Sequence, residues 1–321
     1  MNPIVKIATA VAGTAIVLAV PLAAAQTFPT KTVRIIVPFA PGGGNDVLGR
    51  FFARSMTESM GQNVIVDNRA GGGGNIGNEM VAKAPPDGYT LLYTTSGIAV
   101  APALYPKLNY TLKELAPLSL VADFPLVIIA HPSVPAKDVK ELIALAKKTG
   151  GLNYGTSGTG STNHLSGVLL NNAAGINNTH VPYKGAGPMM TALLSGEIEI
   201  GIANVFSAVP YVRNGRMRAI AVTSPKPSAQ LPGVPVLAAT FPGFDTNIWH
   251  GFFTTAGTPA PVIATLHREI VKALKSSEVQ KALIDGGAES VGNTPAEFAA
   301  VLATDVEKYG KLVKSSGAKP D

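Results

Sequence analysis

The sequence contains no cysteine, so neither a disulfide framework nor thiolate chemistry is open to it. His131, His180, His250 and His267 are widely separated and show none of the spacings of a metal site. No lysine completes a P-loop in any glycine-rich segment. Lysine and arginine are scattered and form no basic tract, which argues against nucleic acid as a partner. Beyond the first 25 residues no apolar run is long enough to span a bilayer. Disulfides, metals and membrane spans being excluded, stability must come from a large hydrophobic core.

The chain opens Met1-Asn2-Pro3-Ile4-Val5-Lys6, runs through an almost uncharged apolar stretch to Ala25, and closes that stretch with Ala23-Ala24-Ala25. This is the pattern of a secretory signal peptide (1–25) cleaved near Ala25. Gly13 and Pro21 break the run and make it a poor permanent anchor. Export to the periplasm is therefore expected. About 295 residues remain of the 321, more than one core usually serves, which favours two domains with a cleft between them. The formal charge of +6 falls by one when Lys6 leaves, and a mildly positive surface favours encounter with anionic solutes.

Strand and helix patterns alternate. Thr32 to Pro38 reads as a β-branched strand and Asp46 to Met60 as a helix stopped by Gly61. Val64 to Val66, Asn75 to Ala84 and Thr90 to Thr94 continue the series, and this βαβαβ order implies a parallel sheet. Leu118 to Ala130 reads as a long strand interrupted by Pro125, followed by a helix opened by Pro135. A second set follows: strand 152–156, helix 161–174, strand 179–182, helix 188–194, and strands 199–203 and 218–223. Residues 225–242 are proline-rich and irregular, after which Ile248 to Thr255 returns as a strand. Helices close the chain, the last opened by Thr294-Pro295-Ala296-Glu297, a capping box with proline at the first helical position. The fold class is α/β, with lobe 1 formed by residues 26–125 plus 226–321 and lobe 2 by 126–225.

Three glycine-rich loops carry the candidate chemistry, each between a strand and a helix. Pro41-Gly42-Gly43-Gly44-Asn45-Asp46 follows the first strand, where helix N–H groups point outward and glycine lets a ligand approach the backbone. Asn45 or Asp46 is also placed to cap this helix start, and Asp46 to pair with Arg50 one turn on. The second loop, Gly71 to Gly77, satisfies the dinucleotide pattern formally, but near Thr94 and Thr95 there is no acidic residue to grip a ribose, so no cofactor is expected. The third, Gly155 to His164, crowds Thr156, Ser157, Thr159, Ser161 and Thr162 into one turn, offering converging N–H and O–H donors that suit a carboxylate. A hydrolase using Ser157 or Ser161 with His164 is the alternative, yet Thr159 stands where a nucleophile elbow needs glycine.

Several ordered motifs then define a resemblance: Pro38-Phe39-Ala40-Pro41-Gly42-Gly43-Gly44 with Asp46 and Arg50, Val66-Asp67-Asn68-Arg69 with Gly71 to Gly74, and Pro86-Asp87-Gly88-Tyr89-Thr90. Gly155 to Ser161 with His164-Leu165, Val181-Pro182-Tyr183-Lys184-Gly185, Ala219 to Thr223 and Trp249-His250-Gly251 extend it over the whole mature chain. The protein resembles the substrate-binding proteins of tripartite tricarboxylate transporters, the Bug-type periplasmic receptors. That resemblance implies a type II periplasmic-binding fold, two α/β lobes joined by two crossing strands that close on a ligand without catalysing a reaction. It implies a small organic acid held by Phe39, Ala40, Gly43, Gly44, Asp46, Ser157, Thr159, Ser161, Thr162 and His164. Thr95, Ser96, Tyr183, Lys184 and Asn204 would line the cleft. It further implies a monomer that delivers its ligand to the transporter's membrane components. A sensor feeding a membrane signalling protein would use the same clamp. The chain departs from the family habit at Ala70, at Asn45 where threonine is common, and at Ala238-Ala239-Thr240.

Overall fold

A computed structural model describes residues 28–320. The expected signal peptide and its cleavage near Ala25 lie outside the described residues. The elements run β1 Val33–Val37, α1 Gly44–Met60, β2 Val64–Asn68, α2 Asn75–Ala82, β3 Thr90–Thr95, α3 Gly97–Leu104 and β4 Leu115–Ala130. Next come α4 Val139–Thr149, β5 Asn153–Thr156, α5 Thr162–Ala174, β6 Thr179–Pro182, α6 Ala186–Ser195, β7 Ile200–Asn204, α7 Val205–Arg213 and β8 Arg218–Val222. The chain finishes with β9 Asn247–Thr255, α8 Ala260–Leu274, α9 Ser277–Asp285, β10 Glu289–Ser290 and α10 Pro295–Ser316. Among the described residues no helix is long and apolar enough to cross a membrane.

The strands are ordered β2-β1-β3-β9-β4-β7-β5-β6, with β8 and β10 also on β4. β1 lies parallel between β2 and β3, as the βαβ alternation requires, and β9 joins β3 antiparallel. β4 is the shared element. It pairs with β9 from Leu115 to Pro125 and with β7 from Leu126 to Ala130. Pro125 therefore does not interrupt the strand, as its sequence suggested. It sits where β4 changes partner, the position at which a missing N–H costs least. The chain passes between the halves a second time in the proline-rich segment before β9, where Thr223 donates its hydroxyl to the Thr246 carbonyl at 2.6 Å.

Both faces of the first sheet are covered, which is why its strands read as unbroken apolar runs. On β1, Val33, Ile35 and Val37 pack with Phe52 and Met56 of α1, while Ile36 turns to the opposite face. There Phe298, Leu302, Tyr309 and Val313 of α10 cover Leu92, Ile98 and Phe253. In the second half Met189, Leu193, Val205 and Val209 close over Val127 and Ile129. Capping sets several boundaries. Asp138, not Pro135, starts α4, because its side chain accepts the Glu141 N–H at 2.9 Å. The Thr294–Glu297 capping box opens α10. Two helices, α3 and α7, are absent from the elements expected from the sequence. Each contains an internal proline (Pro102, Pro210), and α3 is buried nearly all round, leaving no polar face to mark its period.

Candidate functional site

The carboxyl end of β1 runs through Pro38 to Gly43 into α1, whose N-cap is Gly43 and has no side-chain acceptor. The loop is held by Asp46. Its carboxylate accepts the Gly42 N–H at 3.0 Å and the Asn68 amide at 3.0 Å, and Arg50 lies 2.9 Å away. Asn68 also donates to the Phe39 carbonyl at 3.0 Å, tying β2 to the same loop. Burial works to raise the pKa of this carboxyl, but the hydrogen bonds from Arg50, Gly42 and Asn68 outweigh it and hold Asp46 below the usual carboxylate range. Asp46 thus shapes loop and helix start together.

Opposite stands the second half. α6 begins behind Gly185, again without a capping side chain, and a β-carbon placed on Gly43 would lie 3.3 Å from the Gly187 nitrogen. α7 begins behind Asn204, whose side chain accepts the Ser207 N–H at 2.9 Å, and Ser207 in turn accepts the Gly44 N–H at 3.2 Å. α3 and α5 meet in the same way, Ser96 and Thr162 sharing a hydroxyl contact of 2.7 Å. Helix amino-termini from both halves therefore converge, each carrying a partial positive charge. At α1 and α6 glycine replaces the capping side chain, so no cap residue's own oxygen takes the first N–H groups, and at α1 the Gly44 N–H is met by Ser207 Oγ from the other half.

The two halves touch. Ala40 donates its N–H to the Lys184 carbonyl at 2.7 Å, and the Tyr105 hydroxyl donates to the Thr159 carbonyl at 2.7 Å. Between them an inner cavity of about 10 Å³ is lined by Phe39, Ala40, Gly43, Asp46, Thr95, Ser157 and Asn204 of the expected set. That is room for about one water, so a ligand can enter only when the halves separate. A side space of about 160 Å³ is bordered by Phe39, Ser157, Thr159, Tyr183 and Lys184. The Tyr183 hydroxyl donates to Glu197 at 2.9 Å; burial first, and that acceptor second, push it up to about 12. Lys184 is exposed and contributes its carbonyl.

Four expected residues sit behind the cavity wall. Ser161 is the N-cap of α5 and accepts the His164 N–H at 3.2 Å, Thr162 meets Ser96, and His164 stacks on His180 with ring centres 4.2 Å apart. Ser157 donates to Asn163 at 3.2 Å. Neither serine hydroxyl reaches a histidine ring nitrogen in these bonds, as a hydrolase would need. Asn45, expected only as a helix cap and a departure from the family habit, lines the cavity together with Asn163, Ala186 and Ile248, which carried no expectation of their own. Both asparagines lie inside the quoted loops; Ala186 and Ile248 carry no chemical signal. Asn45 Nδ2 is buried without a hydrogen-bond partner. Of the lining residues only Asp46 is formally charged, and Arg50 offsets it, so an anion here would meet neutral donors. In the second glycine loop a β-carbon on Gly73 (φ +62°) would fall 1.9 Å from the Thr159 carbonyl oxygen. Glycine serves there for backbone contact across the cleft. Among the described residues no His, Asp or Glu group is arranged for a metal ion.

Two α/β halves with paired crossings and a cleft walled by helix amino-termini define a periplasmic-binding-protein fold. Residues 48–318 match the family described as tripartite tricarboxylate transporter family receptor, and the chain belongs to that family. It is 36% identical over 300 residues to protein BugT of Bordetella pertussis, covering 92% of each chain. The solved periplasmic binding protein BugD superposes with a TM-score of 0.89 at 34% identity, over 92% of this chain and all of that one. Two Rhodopseudomonas palustris proteins are also similar: MatC with bound malate (TM-score 0.85, 32% identity, 89% of this chain and 100% of that one) and Rpa4515 with adipate (0.87, 33%, 92% and 100%). The family and these neighbours are solute-binding proteins.

Proposed function

We propose that this protein captures a small carboxylate-bearing molecule in the periplasm and delivers it, as a monomer, to the membrane components of a tripartite tricarboxylate-type transporter. One observation carries the reading: α1 and α6, both starting at uncapped glycines, face each other across a cleft whose lining holds no unpaired cation. Such donors favour an anion, and each charge-assisted bond contributes about 1.5–3 kcal/mol. The malate and adipate in the related structures support the same ligand class. In this reading Phe39, Ala40, Gly43, Gly44, Thr95, Ser157 and Asn204 face the acid, Asp46 holds the loop, and the hinge divides residues 26–125 plus 226–321 from 126–225. The exchange of partners along β4 after Pro125 supports that division.

The test is a thermal-shift and calorimetric comparison of malate and adipate with their neutral diamides. A carboxylate at 100 times its dissociation constant is expected to add about 2.7 kcal/mol to unfolding. Stabilisation by the diamides alone would overturn the proposal.

A further inference from the structure

Outside the inner cavity lies a groove of about 810 Å³. One wall is α1 and α9 of the first half, the other α6 and α7 of the second, so groove and cleft open between the same halves. Gly43 and Ala186 line both spaces. The partition includes the Gly44 N–H resting on Ser207 Oγ at 3.2 Å and the close approach of Gly43 to Ala186 and Gly187. The groove's walls are chiefly Val47, Phe51, Met190, Phe206, Val209 and Ala282. Charges at its edge are largely paired, Glu278 with Arg54 at 2.7 Å and Lys281 with Asp285 at 2.6 Å. Arg213 is at the exposed edge and donates to Gln230. A second acid group placed among the apolar walls, away from Arg213 at the exposed edge, would lose its hydration without gaining a partner.

We propose that this groove receives the hydrocarbon body of the ligand, so that the preferred solute is a monocarboxylate with an aliphatic or aromatic tail. The inference rests on the carboxylate reading of the cleft. The acid group meets the α1 and α6 amino-termini, and the tail passes Gly43 and Ala186 into the groove. Because the walls belong to opposite halves, a tail pressed between Phe51 and Met190 is buried only when the halves approach. Tail burial then favours closure, and each methylene removed from water raises affinity about fourfold.

The experiment titrates butanoate, hexanoate, octanoate, malate and adipate calorimetrically into the mature protein and into two groove-filling variants, Ala282→Phe and Val47→Phe, placed on different helices. Affinity is expected to climb from butanoate to octanoate by about fourfold per methylene, and to stop climbing in both variants while butanoate affinity stays level. A flat series in the unmodified protein overturns the groove proposal, as does a climb that survives both fillings; in either case binding of short acids leaves the cleft reading standing. Binding of no acid of any length overturns both. Should a variant fail to fold, the unmodified series decides alone.

Discussion

Gly44 and Ser207 meet across the cleft, the backbone N–H of the first donating to the hydroxyl of the second at 3.2 Å. A β-carbon on Gly44 would lie 2.9 Å from Ser207 Oγ, 3.0 Å from the Phe206 ring and 3.1 Å from Asn204 Nδ2, all in the other half. Gly44→Val should therefore act as a wedge between halves and leave each core intact. Overpacking of this kind costs about 1–3 kcal/mol, so ligand affinity should fall about tenfold or more with little change in the melting temperature. Small-angle scattering should also lose the compaction that accompanies ligand binding. Unchanged affinity and compaction would refute the wedge.

Asn45 presents a buried amide nitrogen with no partner to the inner cavity. If the ligand's acid group takes that donor, Asn45→Ala should weaken binding by about tenfold, the equivalent of one bond to a charged group. The same change should leave the ligand-free protein as stable or slightly more stable, since an orphan donor is removed. Calorimetry and a melt on one preparation check both halves of this expectation.

Asp46 should couple loop shape to pH. Its folded carboxyl lies below the ordinary value of 3.8, so the unfolded chain binds the proton more readily. The stabilisation is complete above that ordinary value and is lost as pH falls through the folded one. Asp46→Asn should cost about 1–2 kcal/mol at neutral pH, because the ion pair with Arg50 is lost. The difference between variant and parent should close in acid. Urea titrations across pH measure it.

Asp123 works in the opposite direction. It lies in β4 beside Asn247, whose amide donates to it at 3.3 Å, and each residue keeps one side-chain oxygen buried and unpartnered. Burial first, opposed by the Asn247 bond and reinforced by the charges of Glu289, Asp245 and Asp305, pushes its carboxyl up to about 6. Here the folded state holds the proton more tightly, so stability falls as pH rises from the unfolded value through about 6. Asp123→Asn should stabilise the protein by about 1–3 kcal/mol at neutral pH, a range set by the energy of a pKa unit, and have little effect below the unfolded carboxyl's range. A variant less stable than its parent at neutral pH would contradict this account.

Much of the scaffold was legible in the residues themselves. A β-branched run marked β1, the Asp87-Gly88 turn preceded β3, Gly61 marked the end of α1, and the Thr294–Glu297 box marked the start of α10. These signals are local, each decided within a turn or a strand. α3 escaped because a helix buried nearly all round has no polar stripe, and both α3 and α7 carry an internal proline. The donor-rich loops were visible as composition, but composition does not say where a hydroxyl points. Ser161 and Thr162 read as ligand donors and in this structure form a helix cap and a helix contact, whereas Asn45 and Asn163 line the cavity.

By itself the sequence determined the α/β alternation, the glycine-rich strand-to-helix turns and the family, since these depend on backbone freedom, caps and apolar spacing among neighbouring residues. Only the tertiary structure decided that the halves meet, that Asn45 and Asn163 line the cavity, and that an apolar groove adjoins the cleft. The reason is distance along the chain. Gly44 and Ser207 are 163 positions apart, and contact between such residues is set by how two packed cores are brought face to face, which no local pattern encodes.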